Sequence, residues 1–105
     1  ADPEVAVRVA AEQPRHSLRV PTTDTPTGVL IDVREADEYR CGTLPGAINV
    51  PLSDLEAGCT AGVPDGAVLF CQSGVRSQRA WSILTDAGIT GLLSLAGGYD
   101  RHGRG

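Results

Sequence analysis

Four short runs of apolar residues constrain this chain most. They are Val29-Leu30-Ile31-Asp32-Val33, with a charge near its end, Ala47-Ile48-Asn49-Val50, Ala67-Val68-Leu69-Phe70-Cys71 and Leu92-Leu93-Ser94-Leu95. None alternates cleanly between apolar and polar, so these are strands covered on both faces. Between the last two lies a helical pattern. Ala80, Ile83, Leu84 and Ala87 fall at i, i+3, i+4 and i+7 and predict one apolar stripe, and Gly88 stands where a helix C-terminus closes. Strands covered on both faces and alternating with helices predict an α/β fold, a central parallel sheet of four or five strands flanked by helices on both faces. Binding sites in such sheets lie beyond the carboxyl ends of the strands.

The intervening segments follow from the same reading. The polar stretch Arg34 to Arg40 predicts a short helix, Gly42 to Gly46 a turn, and Ser53-Asp54-Leu55-Glu56 a helix N-terminus. Ser17-Leu18-Arg19-Val20 reads as an edge strand and Pro21 to Gly28 as a loop. Asp2-Pro3-Glu4 reads as the start of a helix. Residues 1–16 are therefore expected to be an N-terminal extension and residues 17–105 the domain. The sequence opens on Ala1, which leaves a processed protein and a domain of a longer chain both open.

Composition narrows the function. The net charge of −4 speaks against nucleic acid as a partner. The charge is uneven: residues 1–66 carry five arginines against eleven acids, and residues 67–105 carry four against two. The C-terminal part therefore favours an anion locally. No apolar run approaches the roughly 20 residues of a membrane-spanning helix, and no signal peptide is evident, so no membrane role is expected. The three cysteines, Cys41, Cys59 and Cys71, are an odd number and contain no C-x-x-C pair. With histidine only at positions 16 and 102, neither a metal site nor a disulfide scaffold is expected. A reducing, cytoplasmic setting is the simplest expectation.

The chemistry is concentrated where the third apolar run ends. Cys71 is followed by Gln72-Ser73-Gly74-Val75-Arg76 and then by the helix. A cysteine between strand and helix meets the positive end of the helix dipole, and the backbone N–H groups of residues 72–76 are free to converge on one atom. Gly74 permits the positive φ such a cradle needs. Arg76 adds a full charge, in the cradle itself or as a brace to an acid such as Glu35. Each effect favours thiolate, the nucleophilic form. The competing reading is a buried structural cysteine at the end of a core strand.

The segment Cys71-Gln72-Ser73-Gly74-Val75-Arg76-Ser77 resembles the active-site loop of single-domain rhodaneses. Three more segments agree in order and spacing: Leu30-Ile31-Asp32-Val33-Arg34-Glu35, Glu38 through Pro51 with its Gly42-Thr43-Leu44-Pro45-Gly46-Ala47 centre, and Leu95-Ala96-Gly97-Gly98-Tyr99. The resemblance covers about residues 17–100. It implies a rhodanese-like fold and a sulfurtransferase carrying sulfane sulfur as a persulfide on Cys71. The donor would be thiosulfate or another persulfide, and the acceptor a thiol, cyanide or a sulfur-carrier protein. No cofactor is implied. Residues 72–76 would form the persulfide-binding loop, with Asp32 and Arg34 beside the pocket, there mainly to stabilise the fold. Ser77 reads as a first-turn residue of the helix, Trp81 as a core anchor, and Cys41 and Cys59 as incidental thiols.

Two alternatives remain open. One is an interaction or sulfur-relay module serving a partner, such as an adenylating enzyme of a sulfur-carrier pathway. The other is a cysteine phosphatase or arsenate reductase. Phosphatases related to this fold use C-x5-R, whereas Cys71 and Arg76 are spaced C-x4-R, a loop sized for one sulfur atom. The chain departs from the family at Thr43, where histidine is common, at Leu44, where isoleucine is, and at the neutral Gln72 next to the cysteine. It also lacks the tryptophan that usually follows the Gly97-Gly98 turn.

Overall fold

The computed structural model describes residues 20–103. In chain order the elements are β1 (Thr22–Thr23), β2 (Leu30–Asp32), α1 (Ala36–Arg40), β3 (Ile48–Asn49), α2 (Leu52–Glu56), β4 (Val68–Phe70), α3 (Arg76–Asp86), β5 (Leu93–Leu95) and α4 (Gly98–His102). The strands form one five-stranded sheet in the order β1-β5-β4-β2-β3, and every pairing is parallel. The α/β architecture follows the sequence pattern. From β2 the chain moves outward to β3, then returns to place β4 on the other side of β2. The adjacent β2 and β4 are thus the point where the direction of winding reverses, and the loops leaving their carboxyl ends diverge to open a crevice.

The side chains of β4 alternate between two cores. Leu69, with the flanking Ala67 and Cys71, joins Ile31, Val33, Leu55, Ala80, Leu84 and Leu92 under α2 and α3. Val68 and Phe70 join Leu30, Leu44, Ala47 and Leu95 on the opposite face, with Tyr99 of α4 packed against them. Trp81 is a core anchor, as the sequence suggests: its indole N–H donates to the Leu92 carbonyl at 3.0 Å.

Several local expectations are corrected. The segment read as a loop from Pro21 to Gly28 contains the edge strand β1. The Ser94 amide donates to the Pro21 carbonyl and the Ala96 amide to the Thr23 carbonyl, both at 2.9 Å. Edge pairing of this kind tolerates proline, because the carbonyls do the pairing. The helix expected from Asp2-Pro3-Glu4 and most of the strand expected over Ser17–Val20 lie outside the described residues. Helix α2 starts at Leu52 after Pro51, and its five residues are the whole helix. The stripe of α3 is carried by Ser77, Ala80 and Leu84, all buried, while Ile83 is half-buried and Ala87, at the C-cap, is exposed. The Gly97-Gly98 turn also opens a short helix, α4. Its existence depends on tertiary contacts: the Tyr99 and Asp100 amides donate to the Cys71 and Gln72 carbonyls, each at 2.8 Å.

Candidate active site

Cys71 directly follows β4, and its side chain is 1% exposed. The chain then turns through residues 72–75 into α3, which has no side-chain cap at Val75. The sulfur supplies the missing acceptor. Cys71 Sγ accepts the Gly74 amide at 3.1 Å and the Ser77 amide at 3.3 Å. Gly74 has φ +109°, the left-handed conformation its place in the sequence anticipates. Two N–H donors and the N-terminus of an eleven-residue helix thus converge on one sulfur. Such an arrangement stabilises negative charge there.

The loop is held from behind. A Cβ at Gly98 would lie 2.3 Å from the Cys71 carbonyl oxygen, so only glycine lets α4 approach closely enough for its amides to bind the loop carbonyls. With those carbonyls engaged outward, the amide side of the loop faces the sulfur.

The remaining loop residues divide by role. The Gln72 side chain is engaged by other partners: its oxygen accepts Arg34 Nη1 at 3.0 Å and its nitrogen donates to Asp100 Oδ1 at 2.6 Å. Ser73 and Val75 are exposed. Arg76 makes a two-pronged ion pair with Glu38, Nη1 to Oε1 at 2.7 Å and Nη2 to Oε2 at 3.0 Å. The sequence reading favours Arg76 in the cradle itself; its guanidinium instead braces an acid, and that acid is Glu38 in place of Glu35. Glu35 instead accepts the Ser53 hydroxyl at 2.6 Å. The Arg76 hydrogen bonds, offset in part by desolvation, pull the Glu38 carboxyl down to about 2. The Arg76 guanidinium is raised, chiefly by its hydrogen bonds to Glu38.

Asp32 and Arg34 lie at the end of β2 and are buried. Arg34 Nη2 donates to Asp32 Oδ2 at 2.8 Å and also to the Gly42 carbonyl, and Nε donates to Asp32 Oδ1 at 3.1 Å. Thr43 Oγ1 donates to Asp32 Oδ2 at 2.7 Å. The guanidinium carbon sits 4.4 Å from the centre of the Tyr99 ring. The hydrogen bond to Asp32 is the main cause of an upward shift at Arg34. The network ties the end of β2 to the loop through Gln72. Thr43, in the position where histidine is common, has a hydrogen-bonding role of its own.

A groove of about 340 Å³ opens beside the loop, walled by Arg34, Asp37, Glu38, Cys41, Gly42, Gln72 and Tyr99. Cys41 is exposed in this wall and Cys59 is exposed outside it. Among the described residues no cluster of histidine, cysteine or acid could hold a metal ion, and no helix is long and apolar enough to cross a membrane.

Sequence reading gives no role at the site to Glu38, Tyr99 or Ser94, and it places Ser77 in the first turn of the helix, where it stands, without its contact to the sulfur. Glu38 is visible only as one of two acids three residues apart, and Tyr99 only as a residue after a glycine turn. Ser77 and Ser94 are 17 residues apart, and their hydroxyls meet at 2.7 Å because β5 lies against β4. Nothing local in the sequence signals that pairing.

Comparison with known proteins identifies the family. The family model for the Rhodanese-like domain matches residues 18–102. An uncharacterized Bacillus subtilis protein, YqhL, is 43% identical over 75 residues, covering 70% of this chain and 60% of its own length. The human thiosulfate:glutathione sulfurtransferase is 35% identical over 85 residues, covering 67% of this chain and 74% of its own length. Among solved structures, the human single-domain sulfurtransferase TSTD1 superposes with a TM-score of 0.58 at 30% identity, over 92% of this chain and 87% of that one.

Proposed function

Because the chain belongs to the rhodanese-like domain family, we propose that it is a sulfurtransferase that carries sulfane sulfur as a persulfide on Cys71. The observation that carries this reading is the Cys71 sulfur at the end of β4, accepting the Gly74 and Ser77 amides inside a C-x4-R loop. In the loading step Sγ attacks the sulfane sulfur of a donor. The bond between that sulfur and the rest of the donor breaks, and the electron pair departs with the leaving fragment, which is sulfite when the donor is thiosulfate. In the discharge step a nucleophilic acceptor attacks the outer sulfur, the bond to Sγ breaks and its electron pair stays on Sγ. This is covalent catalysis in two half-reactions.

The loop amides serve both steps, because each places negative charge on sulfur within the loop. The Arg76 cation adds to that field even though its hydrogen bonds go to Glu38. Asp32 and Arg34 act on the site through structure: they hold Gln72, and through it the loop, in place. The groove bordered by Gln72 and Tyr99 offers donor and acceptor an approach to the loop, and thiols, cyanide or a carrier protein are the acceptor classes. Three free thiols suit a reducing, cytoplasmic setting.

A second reading, sulfur relay to a partner protein, draws on Val75. Its side chain is 72% exposed at the start of α3, next to the catalytic loop, an apolar contact point for another chain.

Intact-protein mass spectrometry after treatment with thiosulfate or glutathione persulfide tests the main reading. The wild type should gain one sulfur atom, cyanide should remove it with release of thiocyanate, and Cys71→Ser should gain none. No gain from either donor, with Cys71 still open to alkylation, overturns it. Fast loading by a cysteine desulfurase with slow loading by thiosulfate favours the relay.

A further inference from the structure

Beneath the catalytic sulfur lies a pair of buried serine hydroxyls. Ser77 is fully buried in the first turn of α3. Its Oγ stands 3.8 Å from Cys71 Sγ, 3.2 Å from the Gly74 carbonyl and 2.7 Å from Ser94 Oγ. Ser94 is 2% exposed, on β5 opposite Leu69 of β4. Among the described residues its hydroxyl meets only Ser77.

The proton count of this pair decides its behaviour. Each hydroxyl has one proton to donate and can accept two bonds. A buried donor without an acceptor is costly, so the Ser94 proton must go to Ser77 Oγ, the acceptor within its reach. The Ser77 proton must then go elsewhere. Two acceptors are available, the Gly74 carbonyl and the Cys71 sulfur. While the sulfur is protonated, S–H donates to Ser77 Oγ and the Ser77 proton rests on Gly74. Once the sulfur is negative, rotation about the Ser77 Cβ–Oγ bond turns the same proton onto Sγ.

We propose that Ser77 is a catalytic residue delivering a switchable O–H donor to the Cys71 sulfur, and that Ser94 is the positioning residue that keeps this donor aimed. The hydroxyl joins the two loop amides when Sγ is the attacking thiolate. It does so again when the bond from Sγ to the outer sulfur breaks and the electron pair returns to Sγ. No proton leaves the pair in either step: Ser77 changes only the acceptor it faces. The catalytic meaning rests on the persulfide reading, while the hydroxyl arrangement is testable without it.

The experiment uses the full chain with Cys41→Ser and Cys59→Ser, so that iodoacetamide reports Cys71 alone. Alkylation rate is measured against pH for Ser77→Ala, Ser94→Ala and the double variant. Loss of a hydrogen bond to a charged group predicts a profile about one pH unit higher for Ser77→Ala and about half a unit higher for Ser94→Ala. Because Ser94 acts through Ser77, the double variant should match Ser77→Ala alone. Discharge of preloaded persulfide to glutathione should slow about tenfold in Ser77→Ala, in kcat with KM unchanged. An unmoved profile in Ser77→Ala, or shifts that add in the double variant, overturns the proposal. Should Ser77→Ala not fold, Ser94→Ala, one contact further from the sulfur, decides it by the same profile. No sulfur uptake by the wild type, together with these profile shifts in the variants, refutes the persulfide reading and leaves the hydroxyl pair standing.

Discussion

The carboxyl ends of β2 and β4 lie side by side, joined by the Val33 amide donating to the Phe70 carbonyl at 2.9 Å, yet they are finished in opposite ways. The end of β2 is closed. Asp32 and Arg34 are buried, and their charges are spent on each other, on Thr43, Gly42 and Gln72, and on the face of Tyr99. The end of β4 is open in the chemical sense. Its donors converge on a sulfur that can change charge and form a bond. The contrast shows how a small domain makes a precise site. One strand end is made rigid by full pairing, and the neighbouring one is tied to it through Gln72 while its amide donors converge on a sulfur.

The contrast is broken most completely at Cys71. Cys71→Ser should abolish sulfur loading, measured as thiocyanate release, while changing unfolding free energy in urea by about 1 kcal/mol or less, since a hydroxyl still offers the Gly74 and Ser77 amides an acceptor. A large stability loss would show that the sulfur is structural and that the two strand ends are alike.

The mirror-image change is Arg34→Ala. It strands the carboxylate of Asp32, which is fully buried, and breaking a buried pair in this way costs about 3–5 kcal/mol. Equilibrium unfolding should show that loss, while the fraction still folded keeps some sulfur loading. Loading lost without a stability cost would move Arg34 from support to direct contact with substrate.

The seating of α4 behind the loop is tested at Gly98, where φ is +56° and an added Cβ would lie 2.3 Å from the Cys71 carbonyl oxygen, so no side chain has room. Gly98→Ala should cost about 2 kcal/mol and slow loading, because backbone strain and a clash coincide there. Gly58→Ala is the control: its φ is +96° and a Cβ would meet nothing within 4 Å. It should cost less, about 1 kcal/mol, and leave loading unchanged. Equal thermal shifts in the two variants would remove α4 from the account of the loop.

The same contrast separates what is legible in the sequence from what is not. Cys71 and Gly74 could be read directly, because a strand running into a polar loop and then a helix fixes both their place and their conformation. The parallel sheet followed from apolar runs without alternation. Arg76 reads from the sequence as part of the cradle, with a brace to an acid such as Glu35 as the alternative; its choice of Glu38 depends on how α1 sits against the loop, which no local pattern encodes. The Ser77–Ser94 contact needs the order β5-β4, and the β1 strand exists only because β5 offers it an edge. Helix α4 is invisible as a five-residue propensity signal and is made by amides that bind the Cys71 loop. The missed features are the ones fixed by packing between distant segments.

The smallest effect is also the finest probe of the contrast, because the Arg76–Glu38 pair lies between the closed end and the open one. The Glu38 carboxyl drops from 4.5 to about 2, chiefly through its hydrogen bonds to Arg76. Since the folded value lies below the ordinary one, the pair stabilises the fold fully above pH 4.5 and loses that contribution as pH falls through about 2. Both side chains are about one-third exposed, so solvent screening holds the contribution to about 1 kcal/mol or less. Urea unfolding of wild type and Glu38→Gln at a series of pH values from 6 to 2 isolates it, because the other carboxylates titrate alike in both. The wild type should be more stable at pH 6, and the difference should shrink toward zero as the lowest pH is approached. A difference that stays constant across the range would mean that Glu38 stabilises through its neutral contacts. The Arg76 charge would then belong wholly to the open end, as part of the field around Cys71.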